Sequence, residues 1–170
     1  VNSGLARRII IPKITGEMPN MLHSIGSALQ LLGLSLMIGG LLALGAFTAP
    51  VLFSQFPREA AGQAMTIIFR RYDTVLLVAA LLVLAGEGLR VFATPISWTL
   101  LSGVRSGLLL LLVLATVGSV MFLNPRMEAM QQQGVGRSEP EFGQLHQQSE
   151  KLAKLELAGA VLVLLLTPFI

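Results

Sequence analysis

Apolar and polar positions alternate along this chain in long blocks. The first apolar block, from about Ala28 to Phe53, contains LQLLGLSLMIGGLLALGAFTAPVLF and carries no charge. Asp73 and Arg90 bracket the second, TVLLVAALLVLAGEGL. The third runs from about Gly107 to Leu123, with Arg105 placed to snorkel from its end. A fourth, from about Leu155 to Ile170, is shorter, and Lys151 and Lys154 are expected to reach from the same helix to the interface. About 20 residues at a rise of roughly 1.5 Å cross the hydrocarbon core of a bilayer. A lone strand cannot satisfy its backbone in lipid, and no alternating segments of barrel type appear. The pattern therefore predicts an all-α polytopic membrane protein, with transmembrane helices at about 28–53, 74–93, 100–123 and 152–170 in a compact four-helix bundle. Four crossings place both termini on one side.

Between the first two spans, PREAAGQAMTIIFRRY puts Ala60, Ala64, Ile67, Ile68 and Arg71 at helical spacing after Pro57. This predicts an interfacial amphipathic helix leading into the second span. The glycine, proline and polar residues of QQQGVGRSEPEFG predict a flexible excursion, after which Phe142, Leu145, Leu152 and Leu155 start the last helix outside the membrane. Residues 1–20 read as a tail without helical period, and Met18 and Met21 suggest that the native start lies later; residues 21–170 form the transmembrane domain. Tyr72 and Trp98 stand where interfacial aromatic anchors are expected.

Composition sharpens the class. Of 170 residues, 54% are hydrophobic and 12% charged, and the mean hydropathy is +0.75. The absence of cysteine excludes disulfides, thiolate nucleophiles and cysteine-ligated metal clusters. The net charge of +3 is scattered between apolar blocks, so anionic headgroups of the lipid bilayer are the expected partner and nucleic acid is not. Arg58, Arg70, Arg71, Arg126, Arg137, Lys151 and Lys154 follow spans one and three, seven basic residues against Arg90 and Arg105 opposite. The positive-inside rule then puts these loops in the cytoplasm and the termini outside, although Arg7, Arg8 and Lys13 narrow the bias.

Small residues predict the packing faces. Gly26, Gly33 and Gly40 recur every seven residues, and Ser35, Gly39 and Ala43 every four, so Gly26, Gly33, Gly39 and Gly40 are the expected helix-packing glycines. Glu87 is the carboxylate within an apolar block, and Arg90 three residues later on the same face makes the pair an expected intramembrane ion pair. On the last helix His146, Ser149 and Glu156 follow helical spacing, and with Asn124 and Arg126 they form a candidate polar cluster for an anion, a lipid headgroup or a proton. Met121, Met127, Met130, His146 and Glu150 are weak candidates for copper, since paired histidines are missing, and no metal site or cofactor is expected. Without Gly-x-Ser-x-Gly, Walker or His-Glu-x-x-His motifs, an enzyme is not expected.

Four segments carry a family resemblance: AFTAPVLF (Ala46 to Phe53), AGQAMTIIFRRYD (Ala61 to Asp73), NPRM (Asn124 to Met127) and FGQLHQQSEKL (Phe142 to Leu152). In their order and spacing from Leu31 to Leu164 the chain resembles the bacterial branch of the domain of unknown function 4149 family, also described as transmembrane-protein-205-like. The resemblance implies a compact four-helix membrane domain, and its matched positions are Pro50, Phe53, Tyr72, Asn124, Pro125, Arg126, His146 and Ser149. Pro50 and Pro125, lacking an amide hydrogen, are expected to end or kink their helices. The leading functional expectation is an accessory or interaction subunit, or a homo-oligomer joined through the glycine-striped first helix. The alternative is a transporter or ion- or proton-translocating subunit using Glu87 or the Asn124/His146 cluster. A remote third is a copper-related membrane protein.

Overall fold

The computed structural model describes residues 11–93, 99–133 and 139–167, the side chains of 11–17 excepted. Among these residues there are six α-helices and no strand: α1 (Ile11–Leu42), α2 (Ala49–Gln55), α3 (Arg58–Ala93), α4 (Leu100–Gly118), α5 (Asn124–Gln132) and α6 (Pro140–Leu166). Two π-helical turns, Ala43–Thr48 and Ser119–Leu123, join α1 to α2 and α4 to α5. The helices therefore form four rods, each packed on its neighbours. Three of them, Met18–Gln55, Arg58–Ala93 and Leu100–Gln132, are long and apolar enough to cross a membrane. The expectation of four such spans is corrected on this point. In α6, Glu150, Lys151, Lys154 and Glu156 interrupt the apolar run, and residues 168–170 lie outside the described part.

The expected tail lies partly outside the described residues, and from Ile11 onward it is helical and continuous with α1. The interfacial helix is also corrected, because residues 58–72 are the opening part of a single uninterrupted helix that continues through the second span. No proline interrupts α3, and Ala61, Met65, Tyr72, Leu76, Ala79, Val83, Gly86 and Arg90 form one buried face along it. The apolar side of the amphipathic stretch thus serves the bundle. Trp98 falls outside the described residues, whereas Tyr72 is buried, its hydroxyl donating to the carbonyls of Leu36 at 3.2 Å and Met37 at 2.9 Å. It is an internal strut and not an interfacial anchor.

Neither proline ends its rod. Each π-turn stands immediately before a proline-bearing helix start, Ala49–Pro50 and Asn124–Pro125, where the widened turn accommodates the missing amide and the bulk of the ring. Thr48 Oγ1 donates to the Ala43 carbonyl at 2.9 Å within the first of these turns. At the start of α4, Thr99 and Ser102 form a reciprocal capping box: each side-chain oxygen accepts from the other's backbone amide, at 3.2 and 3.1 Å.

The antiparallel pair α1–α3 is the most extensive contact. A Cβ on Gly26 would stand 2.7 Å from the Gly86 carbonyl oxygen, one on Gly33 2.7 Å from that of Ala79, and one on Gly40 inside the Tyr72 ring. The seven-residue stripe is therefore spent within the chain, and Gly86 answers it from α3. Gly39 is the exception among the four expected packing glycines, with open space where a side chain would go. Leu34, Met37, Leu76, Ala79, Ala80, Val83, Leu109, Leu112, Val113, Ala160 and Val163 fill the centre from α1, α3, α4 and α6. Outward, Phe47, Leu81, Leu111, Phe122 and Leu155 are exposed, as lipid-facing positions are. Gly33→Leu and Gly40→Leu are expected to wedge α1 off α3 at about 1–3 kcal/mol each, the usual cost of overpacking. Thermal unfolding in detergent checks this: both variants melt lower, Gly39→Leu melts like the parent, and equal shifts in all three would contradict the assignment.

Candidate functional site

Two polar levels interrupt the apolar interior. The first joins α1, α3 and α4. Gln30 is fully buried, and its Nε2 donates to Glu87 Oε2 at 2.7 Å. Its Oε1 accepts from Arg90 Nη1 at 3.0 Å and from Arg105 Nη2. Arg105 Nη1 also donates to Glu87 Oε2 at 2.9 Å, and Ser106 Oγ to Glu87 Oε1 at 2.6 Å. The salt bridge of Glu87 is thus with Arg105 across the interface, and Arg90 enters the network through Gln30; the expected pairing within one helix is corrected. Arg105 is 2% exposed and does not snorkel. The pair sits where α3 faces α4, so a guanidinium from the neighbouring helix meets the carboxylate directly. Both oxygens of Glu87 are engaged by donors, which makes this level a clamp holding three helices in register.

The second level lies toward the opposite end. On α3 and α4 apolar core residues separate it in sequence from the first: Leu76, Ala79, Ala80 and Val83 stand between Asp73 and Glu87, and Leu109, Leu112 and Val113 between Arg105 and Thr116. Eleven helical residues correspond to about 16 Å along the axis. Here Glu156 of α6, 4% exposed, and Thr116 of α4, fully buried, face one another closely enough for the hydroxyl to act on the carboxyl, although Glu156 Oε1 and Thr116 Oγ1 make no hydrogen bond of ordinary length and angle. Asp73 of α3 is close enough to act electrostatically on Glu156, and it accepts from Asn124 Nδ2 at 2.9 Å. The π-turn before Asn124 adds a residue to the helical turn and so sets the face that α5 presents to α3. Buried polar atoms without an ordinary hydrogen bond are rare and mark sites that accept something further.

The candidate cluster Asn124, Arg126, His146, Ser149 and Glu156 does not assemble. Asn124 and Glu156 belong to the second level, but Arg126 points outward to Glu141 at 3.1 Å, both largely exposed. His146 is exposed and stacks on Phe142 with ring centroids 6.4 Å apart, and Ser149 is half-buried on the same wet turns. Beside them Lys154 donates to Glu150 at 2.8 Å and holds that carboxyl below its ordinary range. Sequence reasoning missed Gln30, Asp73, Ser106 and Thr116. Only Gln30 carried a signal, as the lone amide near the start of an uncharged apolar block.

Helices of this length and apolarity, packed around buried ionisable groups, define an integral membrane protein. The chain belongs to the family described as Domain of unknown function (DUF4149), which matches residues 32–135. That segment holds the last third of α1 and all of α2 through α5, and leaves Gln30 and α6, with Glu156, outside it. No curated protein and no solved structure matches the chain. Glu87→Gln leaves Arg105 buried without its counter-charge and is expected to cost about 3–5 kcal/mol. Arg126→Ala, which breaks an exposed pair, changes stability by no more than about 1 kcal/mol. Equilibrium unfolding of both variants in one detergent separates the clamp from surface ion pairing.

Proposed function

We propose that the chain is a non-enzymatic ion- or proton-translocating protein of a bacterial inner membrane. One observation carries the reading: an apolar layer separates two polar levels inside the bundle, and the carboxyl at the second, Glu156, is 4% exposed and takes part in no ion pair among the described residues. Ionisable groups at membrane depth are costly and belong to transport pathways more often than to structure. The carboxylate of the first level is neutralised by Arg105, whereas that of the second stands near Asp73 with no cation against it among the described residues. The basic residues after spans one and three support a cytoplasmic face there and an N-terminus outside. Purified protein in phosphatidylcholine vesicles, under a potassium diffusion potential, is expected to pass protons, sodium, potassium or chloride above the rate of empty vesicles. Glu156→Gln is expected to bring that flux to background while melting like the parent. Wild-type vesicles tight to all four ions would overturn the reading.

A second reading, an accessory subunit or homo-oligomer, keeps one support after the loss of the seven-residue stripe. Ser35, Gly39 and Ala43 lie exposed along the outer side of α1, with room for a neighbouring helix at Gly39. Gly39→Leu is then expected to lower the oligomer mass in native mass spectrometry without lowering the melting temperature, and an unchanged mass would discard it. Among the described residues no three His, Cys, Asp or Glu side chains gather around a common point, and the copper reading gains no support.

A further inference from the structure

We propose that Glu156 is a proton-exchanging carboxyl, with the Thr116 hydroxyl as its hydrogen-bond partner in both states and Asp73 as the group through which the proton arrives. The inference rests on the translocation reading and specifies its ligand. Glu156 and Thr116 are both more than nine-tenths buried, and their facing oxygens Oε1 and Oγ1 make no hydrogen bond of ordinary length and angle. A hydroxyl is both donor and acceptor. When the carboxylate is ionised, Thr116 donates its hydrogen to Oε1; when a proton is bound at Oε1, that O–H donates to Thr116 Oγ1. One proton is taken up and one released per cycle, and the Thr116 hydrogen swings from Oε1 toward the backbone carbonyl one turn earlier on α4, the acceptor a helical threonine ordinarily reaches.

The surroundings favour a proton over a metal cation. A dehydrated cation needs several oxygens around it, and here most nearby polar atoms are engaged elsewhere. The Tyr72 hydroxyl donates to the carbonyls of Leu36 and Met37, and Asn124 donates to Asp73. From α3, Tyr72 and Asp73 act on Glu156. From α4 the facing group is Thr116, and α5 brings Asn124 against Asp73 and Glu128 in its pair with Arg70. The π-turn Ser119–Leu123 has no titratable side chain, and α1 has, among its described side chains, only His23 near its N-terminal end. Asp73 is half-buried, accepts from Asn124 and is near enough to act electrostatically on Glu156.

Infrared difference spectra of the full chain in phosphatidylcholine vesicles, recorded across a pH titration, read the protonated carboxyl directly. The expected result is a titrating carboxylic-acid C=O band that Glu156→Gln removes and Glu156→Asp shifts in frequency, so that loss of the band is not confused with loss of the fold. Dicyclohexylcarbodiimide, which reacts with protonated carboxyls, is expected to modify Glu156 in the unaltered protein and spare Glu87. On the alkaline side of the titration the modification falls about tenfold per pH unit. A spectrum with no Glu156-dependent band overturns the assignment. So does a band, or a modification, suppressed by sodium in place of choline at constant pH and ionic strength, because the ligand is then a metal cation. A Glu156 band in a protein that passes no protons keeps the site and discards translocation. Proton flux that survives in Glu156→Gln keeps translocation and discards the site.

Discussion

The close approach of α1 to α3 sets the rest of the structure. In lipid there is no hydrophobic gain in bringing two apolar helices together, so tight backbone packing has to supply the attraction. Gly26 and Gly86 meet so that either Cβ would fall on the opposite carbonyl oxygen. At that separation the short amide of Gln30 reaches Glu87, and at the other end the Tyr72 hydroxyl reaches the carbonyls of Leu36 and Met37. With α1 and α3 so fixed, α4 docks through Arg105 and Ser106, and α6 closes the remaining side.

Much of this fold was legible because a membrane span is a matter of length and composition, both visible in the chain. The first three apolar blocks became the three rods long and apolar enough to cross, and α6 fell short because its charges interrupt the run. Hydropathy reports depth along the bilayer normal, but not the direction in which a side chain faces. Arg105 and Glu87 both sit near the ends of apolar blocks, where reaching the headgroups is the ordinary expectation. A charged residue on the opposite helix decided otherwise. The stretch 58–72 was misplaced for a related reason, since its apolar side suits a bilayer surface and a neighbouring helix equally well.

The candidate cluster failed on geometry that the chain contained. Ten residues separate His146 from Glu156, and at about 100° per residue they end some 80° apart around the helix. Stepwise spacings of three and four conceal that drift. His146 therefore shares the wet side of α6 while Glu156 enters the bundle with Ala160 and Val163. Thr116 could not be singled out among the other small residues of α4 until α6 was laid against it.

The two π-turns give the chain a freedom that its uninterrupted helices lack. Such a turn is an α-helix holding one surplus residue, so the faces before and after it are already related as though an insertion had occurred. An uninterrupted helix such as α3 would be rotated by any gain or loss of a residue, and every interior position beyond the change would swing out of place. In Ser119–Leu123 the surplus is held beside Thr116 and Asn124. Length variation among related chains can gather there without disturbing the four-rod register, and the loops are not the only segments able to absorb it.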